Sequence, residues 1–587
     1  MTPAPAHLLL AAFVDELARC GLRNACTSPG SRSTPLVLAL ARDPRVRCHS
    51  LLDERVSSFF ALGLAKTGRL PVALTCTSGT APAHYLAAVH EAYEAGVPLL
   101  VLTADRPPEL RGVGAGQTID QVGLYGRAAK WFLEVGALDE YSAARARWIR
   151  SLACRAWWLS VRGRAGVVHL NFPLREPLAP GTPVDRDLVL SSGRDGERPW
   201  LRAAPDARVA RADAIDGLRS AMQLHARGVV VAGRAERDPQ LPSAIARFAA
   251  SAGYPLLADP LSGARSGPAA IAHYDALLRD ESFAEEHAPE LVIRVGDLPT
   301  SKPLRSWLAS RPWIEQLAFV PEGGWQDPDG VVGELIDSPP AATLDALAED
   351  APAQHASAPG SGAWLGSWRD ADARAAEAIA QVLSGELSEP AVAAAIAATA
   401  PSRAVVWLAS SMPVRDAESF WPVQDAPPRA LANRGANGID GTIASALGAV
   451  AAGTAPVIAL LGDLALVHDV GALLAHARLA RARPAEKLIL VVVNNHGGGI
   501  FHFLAVSDER DIFEEHIATP HDVDLAQLAE IAGAEYATAR TPDELTSALG
   551  QALAATRSTL IEVTSDRREN VELHARLNAA VVAALVH

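Results

Sequence analysis

The chain has 587 residues, 49% of them hydrophobic and 20% charged, and carries a net charge of −14. That length suits about three or four domains of ordinary size, and the apolar fraction excludes a disordered or collagen-like chain. The acidic balance argues against a general nucleic-acid binder, which needs a basic face, but not against anionic small molecules held by a few placed arginines.

In chain order, the apolar run from His7 to Val14 ends at Asp15 without a basic n-region, so it reads as a helix and not a signal peptide. The cysteines, Cys20, Cys26, Cys48, Cys76 and Cys154, are odd in number and form no Cys-x-x-Cys pair. They read as reduced thiols of a cytoplasmic protein. Thr27–Leu36 (TSPGSRSTPL) places hydroxyls, free backbone donors and Arg32 at a helix start, a natural anion seat. Leu52-Asp-Glu-Arg55 opens another helix, where Glu54 is as easily a complement to the helix dipole as a reactive group. The nearest phosphate-loop candidate, Gly63-LAKT-Gly68, continues with Arg69-Leu70 in place of Lys and Ser/Thr. Pro71–Cys76, a turn at Thr77–Thr80, a helix from about Ala83 to Glu94 and Pro98–Thr103 form a strand–turn–helix–strand unit. Arg106 follows in ADRPPE, ahead of a Gly-rich loop ending at Gln117.

Pro177 to about Pro205 and Glu349 to Gly362 lack apolar periodicity and read as linkers, dividing the chain near 1–180, 200–345 and 365–587. The middle segment opens with Gly228–Gly233 (GVVVAG) and holds Lys302 in Pro299-Thr-Ser-Lys-Pro303. The last contributes Ser411 and Arg415 in SSMPVR and Arg434 in ANRGANGIDG. Ile443–Gly462 is apolar enough for a membrane span, but Gly453 and Pro456 break it into a helix end and a strand. Val457–Leu461, a turn at Gly462-Asp463, a helix through Ala480 and Leu488–Val493 make a second strand–turn–helix–strand unit. Such alternation predicts three α/β domains with doubly wound parallel sheets and ligands at the carboxyl ends of strands.

At those ends stand Asp463 and the run Asn494-Asn-His-Gly-Gly-Gly499. A carboxylate and an amide oxygen closing consecutive strands suit Mg²⁺, with glycines admitting a diphosphate. A helix cap and a turn explain either half alone; both together favour the site. Several arginines beside small turn residues suggest a pocket for multiply charged carboxylates. His468, His496 and His502 lie near the turn without ligand spacing and read as structural. There is no Gly-x-Gly-x-x-Gly after a strand and no His-Glu-x-x-His, which disfavours dehydrogenase and zinc-hydrolase chemistry.

Together TSPGSRSTPL, LDER, TSGTA, ADRPPEL…GQ, ADPLSG, SKPL, NRGANGIDG, GDL…HD and NN-x-GGGIF resemble the thiamine diphosphate enzymes. Within that group the chain is similar to the 2-succinyl-5-enolpyruvyl-6-hydroxy-3-cyclohexene-1-carboxylate synthases of menaquinone biosynthesis, from Thr27 to Phe501. The resemblance implies a pyrimidine-binding domain, a related middle domain without cofactor, and a diphosphate-binding domain. It implies thiamine diphosphate with Mg²⁺ or Mn²⁺, decarboxylation of 2-oxoglutarate, and 1,4-addition of the succinyl unit to isochorismate. Active sites would lie between subunits of a homodimer or homotetramer, with no membrane span and no nucleic-acid partner.

By family position Glu54 becomes the catalytic carboxylate at the pyrimidine ring and Ile439 the prop for the bent cofactor. Gly462, Asp463, Leu464, Asn495 and Ile500 would line the cofactor, with Asp463, Asn495 and the Gly497 backbone oxygen on the metal. Ser411, Arg415 and Arg434 would hold the succinyl carboxylate, and Ser31, Arg32, Arg106, Gln117 and Lys302 isochorismate, with Phe501 also at the substrate. The chain departs from the pattern at Pro303, where some relatives carry a second cation, and in extra residues around Arg481–Lys487. The competing readings are another thiamine diphosphate decarboxylase or carboligase, a non-catalytic paralogue, and a nicotinamide- or flavin-binding middle domain that lacks the glycine fingerprint.

Overall fold

The computed structural model describes residues 5–203, 209–320, 324–355, 361–385, 387–453, 456–483 and 485–586. The chain forms two compact units, one of Met1–Asp206 with Asn433–Gly453 and Asp469–Ala482, the other of the remaining residues.

The first unit is built on six parallel strands: β1 (Asn24–Thr27), β2 (Arg47–Ser50), β3 (Val72–Cys76), β4 (Leu99–Asp105), β5 (Ala129–Glu134) and β6 (Val167–Pro173). Their order is β2-β1-β3-β4-β6-β5. The central β3, β4 and β6 are buried at every residue, as apolar strands covered on both faces should be. The N-terminal apolar run lies in the helix Pro5–Cys20, whose Leu9, Phe13 and Leu17 pack with Ile149, Trp157 and Phe172.

The stretch after Pro177 is no free linker. It carries the helix Arg186–Ser191, Val189 joins the core, and buried Arg150 donates to the Val189 carbonyl at 2.6 Å. The same guanidinium pairs with Asp15 and Glu16, each at 2.7 Å. The segment is held by one buried charge network more than by an apolar stripe, which is why periodicity misses it.

Gly63 and Gly68 lie in the helix Glu54–Gly68, not in a loop. That helix crosses Thr442–Ala451 so closely that a Cβ on Gly63 would lie 1.9 Å from the Ser445 carbonyl oxygen. The glycine serves backbone packing, and the phosphate-loop likeness has no structural counterpart.

The second unit holds two parallel sheets. One orders β7 (Gly228–Ala232), β8 (Leu256–Ala258), β9 (Leu291–Val295), β10 (Glu315–Phe319) and β11 (Glu334–Ile336) as β11-β10-β9-β7-β8. The other contains β12 (Val405–Leu408), β13 (Arg429–Leu431), β14 (Val457–Gly462), β15 (Leu488–Asn494), β16 (Glu535–Ala539) and β17 (Thr559–Thr564). It runs β13-β12-β14-β15-β17-β16, the same relative order as the first sheet.

Two helices, Pro340–His355 and Ser361–Leu383, enter the stretch read as a second linker, of which 356–360 lie outside the described residues. Trp364 and Trp368 pack with Phe283, Trp307, Leu573 and Leu577, and Trp364 Nε1 donates to the Gly228 carbonyl at 2.9 Å. The apolar run Ile443–Gly462 divides into the Thr442–Ala451 helix and β14. No described helix is long and apolar enough to cross a membrane.

In each sheet the strand order reverses between the first and third strands, which opens a crevice at their carboxyl ends. In the middle sheet, between β7 and β9, that crevice is closed. A Cβ on Gly233 would lie 1.7 Å from the Asp297 carbonyl oxygen, and Arg234 Nε donates to Asp297 Oδ2 at 2.9 Å.

Candidate active site

In the first unit the candidate residues follow the carboxyl ends of β1, β2, β3 and β4. Asp53 caps the helix Glu54–Gly68, its Oδ1 accepting from Arg55 N at 2.8 Å and Val56 N at 3.4 Å. The capping role therefore belongs to Asp53 and leaves the half-buried Glu54 carboxyl available. Burial raises the Glu54 pKa above its ordinary value, against the pull of its own helix N–H and of His84.

Arg106 donates to Ser78 Oγ across the same crevice. Ser78 Oγ in turn donates to the Gln117 carbonyl at 3.1 Å, and Gln117 Nε2 donates to the Ser78 carbonyl at 3.0 Å. Gln117 adopts the left-handed region at φ 56°, close against Gly79. Arg32 donates to the Leu174 carbonyl at 2.8 Å and faces Glu176 at 3.4 Å, while its Nε is buried without a partner. Burial first, and the charge of Arg106 second, lower the Arg32 pKa. Two guanidiniums that repel each other in a half-buried crevice make a seat for a polyanion. The structure brings Arg106 and Gln117 together on Ser78, Arg32 feels the charge of Arg106, and Ser31 lies exposed next to Arg32.

Arg434 and Ile439 belong to the loop Asn433–Gly441, which the first unit holds tightly. Glu91 accepts from Gly435 N at 2.8 Å and Ala436 N at 2.6 Å, and Asn433 Nδ2 donates to Ser445 Oγ at 3.1 Å. Gly441 sits where a Cβ would lie 1.9 Å from the Phe59 ring. Ile439 is thereby fixed, half-buried, with its carbonyl accepting from Thr442 Oγ1 at 2.8 Å.

In the second unit β14 and β15 pair in register, Gly462 opposite Val493, so Asp463 and Asn495 leave the sheet side by side. Asp463 is not in a turn, as the sequence suggests, but begins the helix Asp463–His468. It is 1% exposed. Its Oδ1 accepts from Leu464 N at 2.6 Å and its Oδ2 from Gly497 N at 2.9 Å. Burial raises its pKa, while those two N–H groups and the nearby His521 and His496 oppose the shift. Gly497 is at φ 139°, and a Cβ there would lie 2.6 Å from the Ala518 carbonyl oxygen.

Asn495 donates through Nδ2 to Glu389 Oε1 at 2.9 Å, while its Oδ1 is buried with no hydrogen-bond partner. An amide oxygen buried and left unpaired is destabilising by about 1–3 kcal/mol unless a water or a ligand occupies it. Carboxylate, amide oxygen and backbone carbonyl form a hard donor set, and it fits a divalent cation of the Mg²⁺ or Mn²⁺ kind. Ile500 and Phe501 follow in the 3₁₀ turn Gly499–Phe503.

Ser411 sits at φ 79° before the helix Met412–Phe420, and its carbonyl accepts from Arg415 Nη1 at 2.6 Å. Desolvation and then the charge of Arg305 lower the Arg415 pKa, although the side chain as a whole is exposed. Lys302 is exposed at the start of the helix Lys302–Ala309, capped by Ser301. Pro303 occupies a helix position whose N–H would go unused, and Arg305 supplies a cation further along the same helix. The extra residues around Arg481–Lys487 lie at the amino end of β15, where Lys487 Nζ donates to the Ala552 and Leu553 carbonyls at 3.0 and 2.7 Å. Asn495 stands at the opposite end of that strand.

Sequence reasoning passed over Ser78, Glu176, Glu389 and His521. His521, not one of the three histidines near the turn, stands beside Asp463, with Nε2 3.5 Å from Oδ2. His468 and His496 are exposed, and His502 packs edge-on against Phe513. Only Ser78 had a signal, its place in TSGTA at the end of β3.

Comparison with known proteins covers all three sheets. The chain matches the N-terminal TPP-binding domain of thiamine pyrophosphate enzymes over residues 9–124, their middle domain over 189–408 and their C-terminal TPP-binding domain over 412–563. It is 40% identical over 585 residues to a 2-succinyl-5-enolpyruvyl-6-hydroxy-3-cyclohexene-1-carboxylate synthase of Myxococcus xanthus, covering 98% of this chain and 97% of the relative. Proteins of the same name from Rubrobacter xylanophilus and Geobacillus thermodenitrificans are 41% and 40% identical. The first alignment covers 98% of each chain, the second 96% of this chain and 94% of the relative.

Proposed function

The chain belongs to the 2-succinyl-5-enolpyruvyl-6-hydroxy-3-cyclohexene-1-carboxylate synthase family of thiamine diphosphate enzymes, and from that premise we propose the following assignment of its site. The enzyme decarboxylates 2-oxoglutarate and adds the succinyl unit to isochorismate in menaquinone biosynthesis. The observation that carries the metal half is the buried, unpartnered Asn495 Oδ1 beside Asp463 at adjoining strand ends.

Asp463, Asn495 and the Gly497 carbonyl would hold Mg²⁺ or Mn²⁺, with Gly462, Leu464 and Ile500 against the cofactor. When bound, thiamine diphosphate supplies a nucleophilic carbon and a sink for the electrons left by departing carbon dioxide. Glu54 holds and returns a proton at the pyrimidine ring, a task that suits a carboxyl whose pKa burial has raised. Ile439, fixed by its loop, props the cofactor's bend. Ser411, Arg415 and Arg434 orient the distal carboxylate of 2-oxoglutarate. Ser31, Arg32, Arg106, Gln117, Lys302 and Phe501 receive isochorismate, whose two carboxylates suit paired guanidiniums.

Residues near 1–180, 200–345 and 365–587 serve as pyrimidine-binding, middle and diphosphate-binding domains, the helix Ser361–Leu383 packing on the middle sheet. Cytoplasmic homodimers or homotetramers with active sites between subunits complete the assignment. The test is isochorismate consumption with each component omitted in turn. Loss of turnover without 2-oxoglutarate, thiamine diphosphate or Mg²⁺ supports it. Release of carbon dioxide from 2-oxoglutarate without any consumption of isochorismate would indicate a plain decarboxylase instead.

A further inference from the structure

An asparagine that binds a metal must solve a problem that an aspartate does not have. Its two ends are nearly the same size, but only the oxygen can face a cation; the NH₂ end would repel it. Something must choose the orientation before the ion arrives. In this chain the choice is visible on both sides of the Asn495 amide. Nδ2 is aimed at Glu389 Oε1, 2.9 Å away, and Gly499 leaves it space, since a Cβ there would lie 2.6 Å from Nδ2. Oδ1 is left buried and without a partner. A flipped amide would set its oxygen against the Glu389 carboxylate and leave the NH₂ in the position of the metal ligand.

Glu389 is itself held rigidly. It is 4% exposed and opens the helix Glu389–Thr399, where the positive end of the helix favours a carboxylate. Ser388 caps that helix and Pro390 fixes its first turn. Ser565, whose backbone N donates to the Asn494 carbonyl at 3.0 Å, ties the ends of β15 and β17 together next to it. Asp416, paired with His574 at 3.2 Å, lies on the other side, one residue after Arg415.

We infer that Glu389 is a positioning residue that fixes the Asn495 amide with its oxygen toward the divalent cation, an inference resting on the assignment of Asn495 as a metal ligand. The outer partners of metal ligands typically matter 10- to 100-fold in metal affinity. Glu389→Ala should therefore weaken Mn²⁺ binding by about that factor in the full-length protein with thiamine diphosphate present. The readout is the electron paramagnetic resonance of free against bound Mn²⁺, which needs no turnover. Glu389→Gln keeps an acceptor oxygen of the same reach and should remain within about threefold of wild type.

The sharper arm exchanges the roles. Asn495→Asp alone places two carboxylates against each other and should bind Mn²⁺ poorly. Combined with Glu389→Gln, the new amide donates to one aspartate oxygen and leaves the other for the metal, so binding should recover at least tenfold over Asn495→Asp. A merely structural Glu389 would give no such recovery. Asp463→Ala reports on the underlying assignment. If it loses Mn²⁺ while Glu389→Ala binds like wild type, or the exchanged pair is no better than Asn495→Asp, the positioning role is overturned and the metal site stands. If Asp463→Ala also binds like wild type, the metal site falls and the inference with it.

Discussion

The crevice of the first sheet and the ends of β14 and β15 in the third have opposite chemistry, although the two sheets share one strand order. At the ends of β1, β3 and β4 the chain gathers cations that mostly have partners, Arg32 on the Leu174 carbonyl and Glu176 and Arg106 on Ser78, although Arg32 Nε is buried without one. At the ends of β14 and β15 it gathers oxygens, and leaves one of them, Asn495 Oδ1, unmatched. An anion would add to the first arrangement and a cation to the second. The middle sheet, with a related order, closes its crevice with the Gly233–Asp297 backbone contact and the Arg234–Asp297 pair. Three related sheets thus carry three different crevices, so the residues at the strand ends, and not the fold, decide what is bound.

The largest expected effect breaks the third-sheet crevice alone. Asp463→Ala removes the one carboxylate of the proposed metal set and should weaken Mg²⁺-dependent thiamine diphosphate binding on the order of 100-fold or more. Calorimetric titration measures it, and unchanged affinity would place the cation elsewhere. The next test separates the substrates. A charge-assisted contact to a carboxylate contributes about 1.5–3 kcal/mol, or roughly 10- to 150-fold in kcat/KM. Arg415→Ala should slow carbon dioxide release from 2-oxoglutarate even without isochorismate. Arg32→Ala and Arg106→Ala should spare that half-reaction and impair only the addition. Carbon dioxide release blocked by Arg106→Ala would reverse the assignment of the two crevices.

A third change leaves both crevices in place and strains the support beneath them. Gly63→Ala drives a methyl into the Ser445 carbonyl at the crossing of two helices, where neither backbone can move cheaply. Overpacking of this kind typically destabilises by about 1–3 kcal/mol. Urea unfolding should show the loss, whereas Gly217→Ala, in open space on the exposed face of the helix Ala212–Leu224, should show none.

The alternation of strands and helices, the parallel sheets and the place of Asp463 and Asn495 at the ends of consecutive strands could all be read from the chain. Each leaves a local trace: apolar runs of strand length, glycines after them, oxygen ligands at consecutive ends. Glu389 leaves none. An acid after a serine at a helix start looks like any other complement to the dipole, and its partner lies 106 residues away. His521 too lies far from Asp463 in sequence. The strap after Pro177 was misread because Arg150 and its two acids, not an apolar face, tie it down. Gly63 was weighed as a phosphate-loop residue because the helix it packs against lies hundreds of residues downstream.

The smallest expected effect tests whether the first-sheet crevice carries stored instability. The Glu54 pKa lies above the usual 4.5, raised first by burial and further by Asp53, with its own helix N–H and His84 acting against the rise; Cys76 is a near neighbour. A raised carboxyl pKa means that the folded protein holds this proton more tightly than the unfolded chain. The group therefore does not weaken the fold below its unfolded pKa. Stability is lost as pH rises through the folded value, because the ionised carboxylate must then stay in a partly dry site. Glu54→Gln keeps the shape and removes that charge. Without ligands, the variant should match wild type at about pH 4 and be the more stable of the two near pH 8, while catalysis falls by about two orders of magnitude. Urea midpoints across that range decide the matter. A variant less stable than wild type at pH 8 would mean that the carboxylate is already well paired in the empty crevice. The ionised carboxyl would then carry no cost in this crevice.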